Sequence, residues 1–168
     1  MLEELGVEAI DADSVGHEVL EPGGPAFTEV VERWPEVVVE GRIDRAALGR
    51  AVFASPDALA ELESYTHPHI FGRIRDRLQS LGGPVVIEIP LIDRPVFADF
   101  GQIVVDCADD IRLQRVVERG MSEDEARQRM ASQPSRAQWL ASADVVVPNH
   151  GGLEELWAVV KAVRPLLD

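Results

Sequence analysis

Four short β-branched runs constrain what this chain folds into: "VEAI" (7–10), "VVIEI" (85–89), "QIVVD" (102–106) and "DVVVPN" (144–149). The middle two are mostly continuous in apolar character rather than alternating, which is how strands covered on both faces of a parallel sheet read. Amphipathic stretches with recognisable starts lie between them. "GRIDRAALGRAVFA" has Asp44 as N-cap and Ala47, Leu48, Ala51 and Val52 on one face. "SPDALAELESYTH" places Ser55 at an N-cap and Pro56 at the first helical position. A further helix is predicted from Pro68 to the glycines of "LQSLGG". "SEDEARQRMASQ" opens with Ser122 and Glu125 in capping-box spacing, and "GLEELWAVVKAVRPLL" carries Leu153, Leu156, Trp157 and Val160 on one stripe. Strands alternating with helices predict an α/β fold with a parallel sheet. The stretch 25–83 is nearly all helical and too long for a plain crossover, so it reads as a helical substrate-side insertion.

At 168 residues the chain is expected to be a single domain, and 46% hydrophobic residues are ample for a core. A net charge of −14 argues against a general nucleic-acid or anionic-membrane binder, because such surfaces attract through clustered Lys and Arg. It leaves room for an anionic ligand at a local arginine cluster. The lone Cys107 forms no internal disulfide, no signal peptide is visible, and no apolar run approaches the roughly 20 residues of a membrane span. These features predict a soluble cytoplasmic protein. The basic residues are uneven in kind: of 16, all but Lys161 are arginine.

Asp11 and Asp13 sit at the carboxyl end of the first strand, outside which open α/β sheets bind their ligands. Two carboxylates there suit acceptance of a hydroxyl proton or contact with a divalent cation; the plainer alternative is that Asp13 or Ser14 caps the following helix. Arginines gather after the third strand: Arg112, Arg115, Arg119, Arg127, Arg129 and Arg136. Arg112 and Arg127 read as a solvated face. Arg115 and Arg119 share a helical face. Arg129 and Arg136 flank "MASQPS", where Pro134 breaks or kinks a helix. A lid-like helical region over 120–143 carrying arginines suits neutralisation of phosphate charge. "NHGG" (149–152) is a strand-to-helix turn, plain or offering backbone groups to a base. His67 of "THPHI" lacks neighbours for a metal site and fits a ligand pocket better. Pro90 and Leu91 of "EIPLID" either pack the core or line a ligand.

In order, "IDAD", "EPG", "DRAALGRAVFASPDALAELESYTHPHI", "PVVIEIPLI", "VVDCADDIRLQRVVERGMSEDEARQRMASQPSR" and "ADVVVPNHGG" resemble the dephospho-coenzyme A kinase family across essentially the whole chain. The resemblance implies a P-loop kinase-like parallel sheet in a three-layer α/β/α fold, with a helical substrate-binding region and a lid. It implies ATP-dependent phosphorylation, with Mg²⁺, of the ribose 3′-hydroxyl of dephospho-coenzyme A, the last step of coenzyme A synthesis. By position it makes Asp13 the general base and Asp11 its support for base or metal. His67, Pro90 and Leu91 fall on the acceptor side. Arg115, Arg119, Arg136 and Asn149 fall on the ATP side, with Arg119 stacking on adenine. The family's "RDG" is "ERGM" here and its "PLL-x-E" is "PLIDRP".

The family opens with a central strand and a P-loop, G-x-x-x-x-G-K followed by Ser or Thr, whose amides, lysine and hydroxyl hold the triphosphate and Mg²⁺. This sequence contains no such motif, since its only lysine is Lys161. The expectation is an N-terminally truncated chain, inactive as it stands, short by about 20 residues of strand, loop and first helical turns. An in-frame loop in the upstream DNA is what a miscalled start codon would leave. Losing a central strand strips two neighbours of ladder partners, at ~1–3 kcal/mol for each buried unpaired group. Two rival readings remain: a non-catalytic protein that binds coenzyme A derivatives or a partner, and a glycosyltransferase using "DAD" for a metal.

Overall fold

The computed structural model describes residues 1–53, 55–90 and 97–167. They form two compact units, one of Val7–Ile89 and one of Met1–Gly6 with Pro90–Asp168. No helix among the described residues is long and apolar enough to cross a membrane.

In the first unit, strand β1 (Glu8–Asp11) runs directly into helix α1 (Ala12–Leu20) and pairs in parallel with β4 (Val85–Glu88), with Asp11 opposite Glu88. Helix α2 (Phe27–Arg33), a two-stranded antiparallel hairpin β2 (Val38–Val39) and β3 (Arg42–Ile43), α3 (Arg45–Phe53) and α4 (Pro56–Ser80) lie between them. The helical reading of 25–83 therefore stands apart from the hairpin, whose two-residue strands are too short to show alternation. Asp44 caps α3 by accepting from the amides of Ala46 and Ala47, and Ser55 caps α4 with Pro56 at its first position. The apolar face foreseen on α3 is real: Leu48 and Val52 are buried with Val30, Trp34 and Val37, and Ala47 and Ala51 pack against them. Trp34 meets Tyr65 edge-on, with ring centroids 6.2 Å apart.

Two helices were expected around Pro68, but α4 runs unbroken through it. Proline deletes the one bond to the carbonyl four residues back. The rod survives because Thr66 and Ile74, on either side, are buried and because α1 and α3 both pack on α4. The turn after α1 needs glycine at position 24: a Cβ there would stand 2.5 Å from the Val19 carbonyl oxygen and 2.7 Å from that of Glu18.

In the second unit, β5 (Ile103–Asp106) pairs in parallel with β6 (Val145–Pro148). Between them come α5 (Asp109–Glu118), α6 (Glu123–Ala131) and α7 (Arg136–Ala141), and α8 (Leu153–Val163) follows. Ser122 and Glu125 form the expected capping box. Pro134 lies in the break between α6 and α7. The stripe expected on α8 shifts: Leu153 in its first turn is exposed, and burial falls on Val160 and Val163.

All four strands foreseen in the sequence form within a residue or so of their expected limits, and every long-range pairing among them is parallel. Coverage on both faces does not follow. Val105 is 60% exposed, and Val146 is also exposed. Among the described residues β4 pairs only with β1 and β5 only with β6, so each has one open edge.

Candidate active site

At the carboxyl end of β1 the capping role falls to Asp11, not to Asp13 or Ser14. Its Oδ1 accepts the Asp13 amide at 2.9 Å, satisfying one of the free N–H groups at the start of α1. That bond turns the chain from strand into helix within one residue and leaves Asp13 in the first turn. Asp13 projects into solvent, 74% exposed, with Oδ2 3.1 Å from His17 Nε2 one turn on. The other ring nitrogen, Nδ1, lies 3.1 Å from Arg45 Nη1. An arginine only donates, so Nδ1 is the acceptor and Nε2 carries the proton, close to Asp13 but without a hydrogen bond to it. The result is an accessible carboxylate beyond the end of a parallel strand, with an imidazole held beside it by Arg45. It has the chemistry of a proton acceptor for an incoming hydroxyl.

The other acceptor-side candidates are less concentrated. His67 is half-buried at the middle of α4 with its ring against Phe71, centroids 5.2 Å apart. Pro90 is exposed where the chain leaves the first unit. Leu91 lies outside the described residues.

The ATP-side candidates gather in the second unit. Arg115 donates from Nη1 to the carbonyl of Asn149 and from Nη2 to that of Gly151, both at 2.8 Å. It therefore holds the turn after β6 in shape. The Asn149 amide in turn donates to the carbonyl of Asp106 at 2.7 Å, which ties that turn to the end of β5. Arg136, at the start of α7, makes a two-pronged pair with Asp106: Nε to Oδ1 and Nη2 to Oδ2, each at 2.6 Å. The Arg136 hydrogen bonds hold the Asp106 carboxyl below the usual aspartate range despite the opposing effect of burial, and His150 Nε2 stands 3.4 Å from Oδ2. Arg119 caps the end of α5 and lines a separate open cleft of about 630 Å³ with Val116, Gly120, Met121, Glu125 and Arg129. Three of the four candidates, Arg115, Asn149 and Arg136, thus share one network, and Arg119 stands in the cleft.

Arg127 pairs with Glu123 on the α6 surface, as a solvated face would. Arg112 does more, bridging Asp109 and Gln133. Reasoning from sequence passed over His17, Arg45, Asp106 and His150. Asp106 carried the same signal that singled out Asp11, an acidic residue closing a buried strand. The others gave no signal, because their partners are distant or a full turn away in the chain. Among the described residues no three His, Cys, Asp or Glu side chains converge to hold a metal ion.

Comparison with known proteins identifies the family. The family model for dephospho-CoA kinase matches residues 1–155. A dephospho-CoA kinase from Chromobacterium violaceum is 42% identical over 95% of this chain and 81% of its own length. One from Thermobifida fusca is 40% identical over 94% of this chain and 82% of its own. The crystal structure of TT1252 from Thermus thermophilus matches with a TM-score of 0.86 at 31% identity, covering 99% of this chain and 88% of that one. A dephospho-CoA kinase from Campylobacter jejuni, 24% identical, shares the fold at a TM-score of 0.67. A glycosyltransferase reading of "DAD" has no place beside these matches. A family model spanning residues 1–155, together with relatives near 40% identity, establishes that the chain belongs to the dephospho-CoA kinase family.

Proposed function

We propose that this chain carries the acceptor site and catalytic base of a dephospho-coenzyme A kinase, working in the cytoplasm. Its reaction passes the γ-phosphoryl group of ATP to the ribose 3′-hydroxyl of dephospho-coenzyme A. The observation that carries the reading is the accessible Asp13 carboxylate, set two residues beyond the Asp11 cap with His17 beside it. Asp13 takes the hydroxyl proton, the freed oxygen attacks the γ-phosphorus, and the bond to the β-phosphate oxygen breaks to release ADP. Arg136 and Arg119 supply positive charge toward the nucleotide, and Arg115 keeps the Asn149 turn in the shape that meets the base. Mg²⁺ accompanies ATP in such reactions, but no described cluster fits it, so no step here depends on protein ligation of the metal.

The 168 residues contain no phosphate-binding loop. Positioning and charge neutralisation of the triphosphate supply most of the rate in phosphoryl transfer. The chain alone is therefore expected to bind dephospho-coenzyme A while turning it over very slowly.

Calorimetry with dephospho-coenzyme A, beside a phosphorylation assay with ATP, tests both parts. Binding with negligible turnover is the expected result, and turnover at the rate of an intact kinase would remove the claim of inactivity. Absence of binding would remove the acceptor site. Placing a strand and P-loop ahead of Met1 is expected to restore turnover, and Asp13→Asn in that protein to lower it by roughly 10²–10⁴-fold. Retained rate in Asp13→Asn would remove Asp13 from the role of base.

A further inference from the structure

Arg136 commits two of its three guanidinium nitrogens to Asp106, and among the described residues the third, Nη1, has no hydrogen-bond partner. The carboxylate it grips is fixed from several sides. Asp106 is the last residue of β5, its side chain is only 8% exposed, and its carbonyl accepts the Asn149 amide. His150 adds a further restraint. The Ala108 amide donates to His150 Nδ1 at 3.3 Å, so the neutral ring carries its proton on Nε2, which lies 3.4 Å from Asp106 Oδ2. Arg136 itself stays 40% exposed. A buried, multiply restrained carboxylate thus holds a half-exposed guanidinium in one orientation, with one nitrogen left to donate.

We propose that Asp106 is a positioning residue, which aims Nη1 of Arg136 at the phosphoryl groups of the nucleotide. The proposal rests on the reading of Arg136 as a nucleotide-binding arginine; Asp106 touches no reacting atom. Two physical effects oppose each other here. The fork-to-fork pair fixes the direction of the guanidinium, which favours a directed bond to phosphate. The carboxylate also cancels the arginine's charge at longer range, which weakens attraction for an anion. At hydrogen-bond distance direction outweighs the cancelled charge, because a guanidinium free to rotate would have to be ordered at each encounter.

ATP with Mg²⁺ titrated into the 168-residue chain, followed through arginine side-chain ¹⁵N–¹H signals, separates the two effects. Circular dichroism reports the folded fraction of each variant. The Arg136 Nε–Hε signal is expected to be resolved and slow to exchange in the parent, and to be lost in Asp106→Asn. ATP affinity should fall about tenfold in Asp106→Asn and in Arg136→Ala, the worth of one bond to a charged group. The double variant should be no weaker than Arg136→Ala, since both remove one interaction. Equal or tighter binding by Asp106→Asn, with Arg136→Ala weakened, would overturn the positioning role while leaving Arg136 at the nucleotide. Unchanged affinity in Arg136→Ala, or no ATP response of Arg136 in the parent, would overturn the nucleotide reading and the proposal with it. Should Asp106→Asn not fold, Asp106→Glu keeps the charge and shifts the fork by one methylene. It must still weaken ATP binding, and undiminished affinity there overturns the proposal.

Discussion

The two units are held together by different means. In Val7–Ile89, side chains from α2, the turn after it and α3 close on Trp34 in an apolar core, and the ion pairs Arg33–Glu61, Arg73–Glu18 and Arg77–Glu18 lie outside it. In the other unit α5 and α7 bury no residue and α6 buries only Ala126. Guanidinium groups tie its elements alongside the buried side chains of Phe97, Val104, Val147, Val160 and Val163: Arg115 to the Asn149 turn, Arg112 to Gln133, Arg136 to Asp106 and Arg164 to the Leu5 carbonyl. Apolar burial is non-directional and has no competitor but water. A guanidinium contact is directional, and an incoming phosphate competes for the same donors. The nucleotide-side arginines thus lie on or beside helices that have little apolar burial and are held by exchangeable contacts, and such regions belong to the low-stability end of a fold.

The largest expected effect tests the apolar side of this contrast. Trp34→Ala removes a buried ring that touches Tyr65 and lies beneath Arg33, and should cost about 3–5 kcal/mol. Urea unfolding with amide exchange should show protection lost across α1 to α4 and largely kept in β5, β6 and α8. Equal loss in both would mean that the two units unfold as one, and the contrast would describe packing without consequence for stability.

Asp106→Ala tests the ionic side and should cost about 2 kcal/mol, the range for hydrogen bonds to a charged group. The effect should depend on pH. Arg136 lowers the folded-state value of Asp106 below its ordinary 3.8, so the unfolded chain takes up the proton first as pH falls. The stabilisation is complete above the ordinary value and is lost as pH drops through the lowered one. A stability titration between neutral pH and pH 2 should therefore show the parent converging on Asp106→Ala at the acid end. A constant gap over that range would show that the carboxylate's charge is not what Arg136 uses.

The contrast also explains what could be read from the sequence. Strand positions were legible because short β-branched runs bounded by turns favour extended backbone locally, as in "VVIEI" and "QIVVD". Caps at Asp44, Ser55 and Ser122 were legible because donor and acceptor lie within three residues. The unbroken α4 was not, since its continuity through Pro68 comes from neighbouring helices rather than from its own residues. The arginines were located, but their partners were not: Arg115 reaches 34 residues to Asn149 and Arg136 reaches 30 to Asp106. Charge at a position is written in the sequence, whereas the group it meets is a property of the fold. The front of the site shows the same limit. "DAD" was visible, but which aspartate caps and which projects was decided by where β1 stops and α1 starts.

The smallest effect is the sharpest test, because it changes the same residue type at the same place in two helices. Ser55 caps α4 and Ser122 caps α6, each through a bond from the amide three residues on at 3.4 Å. Replacing either with alanine removes that amide bond, at about 1 kcal/mol, and Ser122→Ala also removes the hydroxyl's bond to the Glu125 carboxylate. Helix α4 packs against the apolar core through Leu59, Leu62 and Tyr65, so it unfolds with that core and Ser55→Ala should lower the stability of the whole unit by that amount. Helix α6 buries only Ala126, so its opening should precede unfolding of its surroundings. Ser122→Ala should then speed amide exchange within α6 by about fivefold, the rate equivalent of ~1 kcal/mol, while the urea midpoint stays where it was. A matching shift in the urea midpoint for both variants would show that α6 belongs to the cooperative core after all, and that the arginine contacts hold their unit as firmly as Trp34 holds its own.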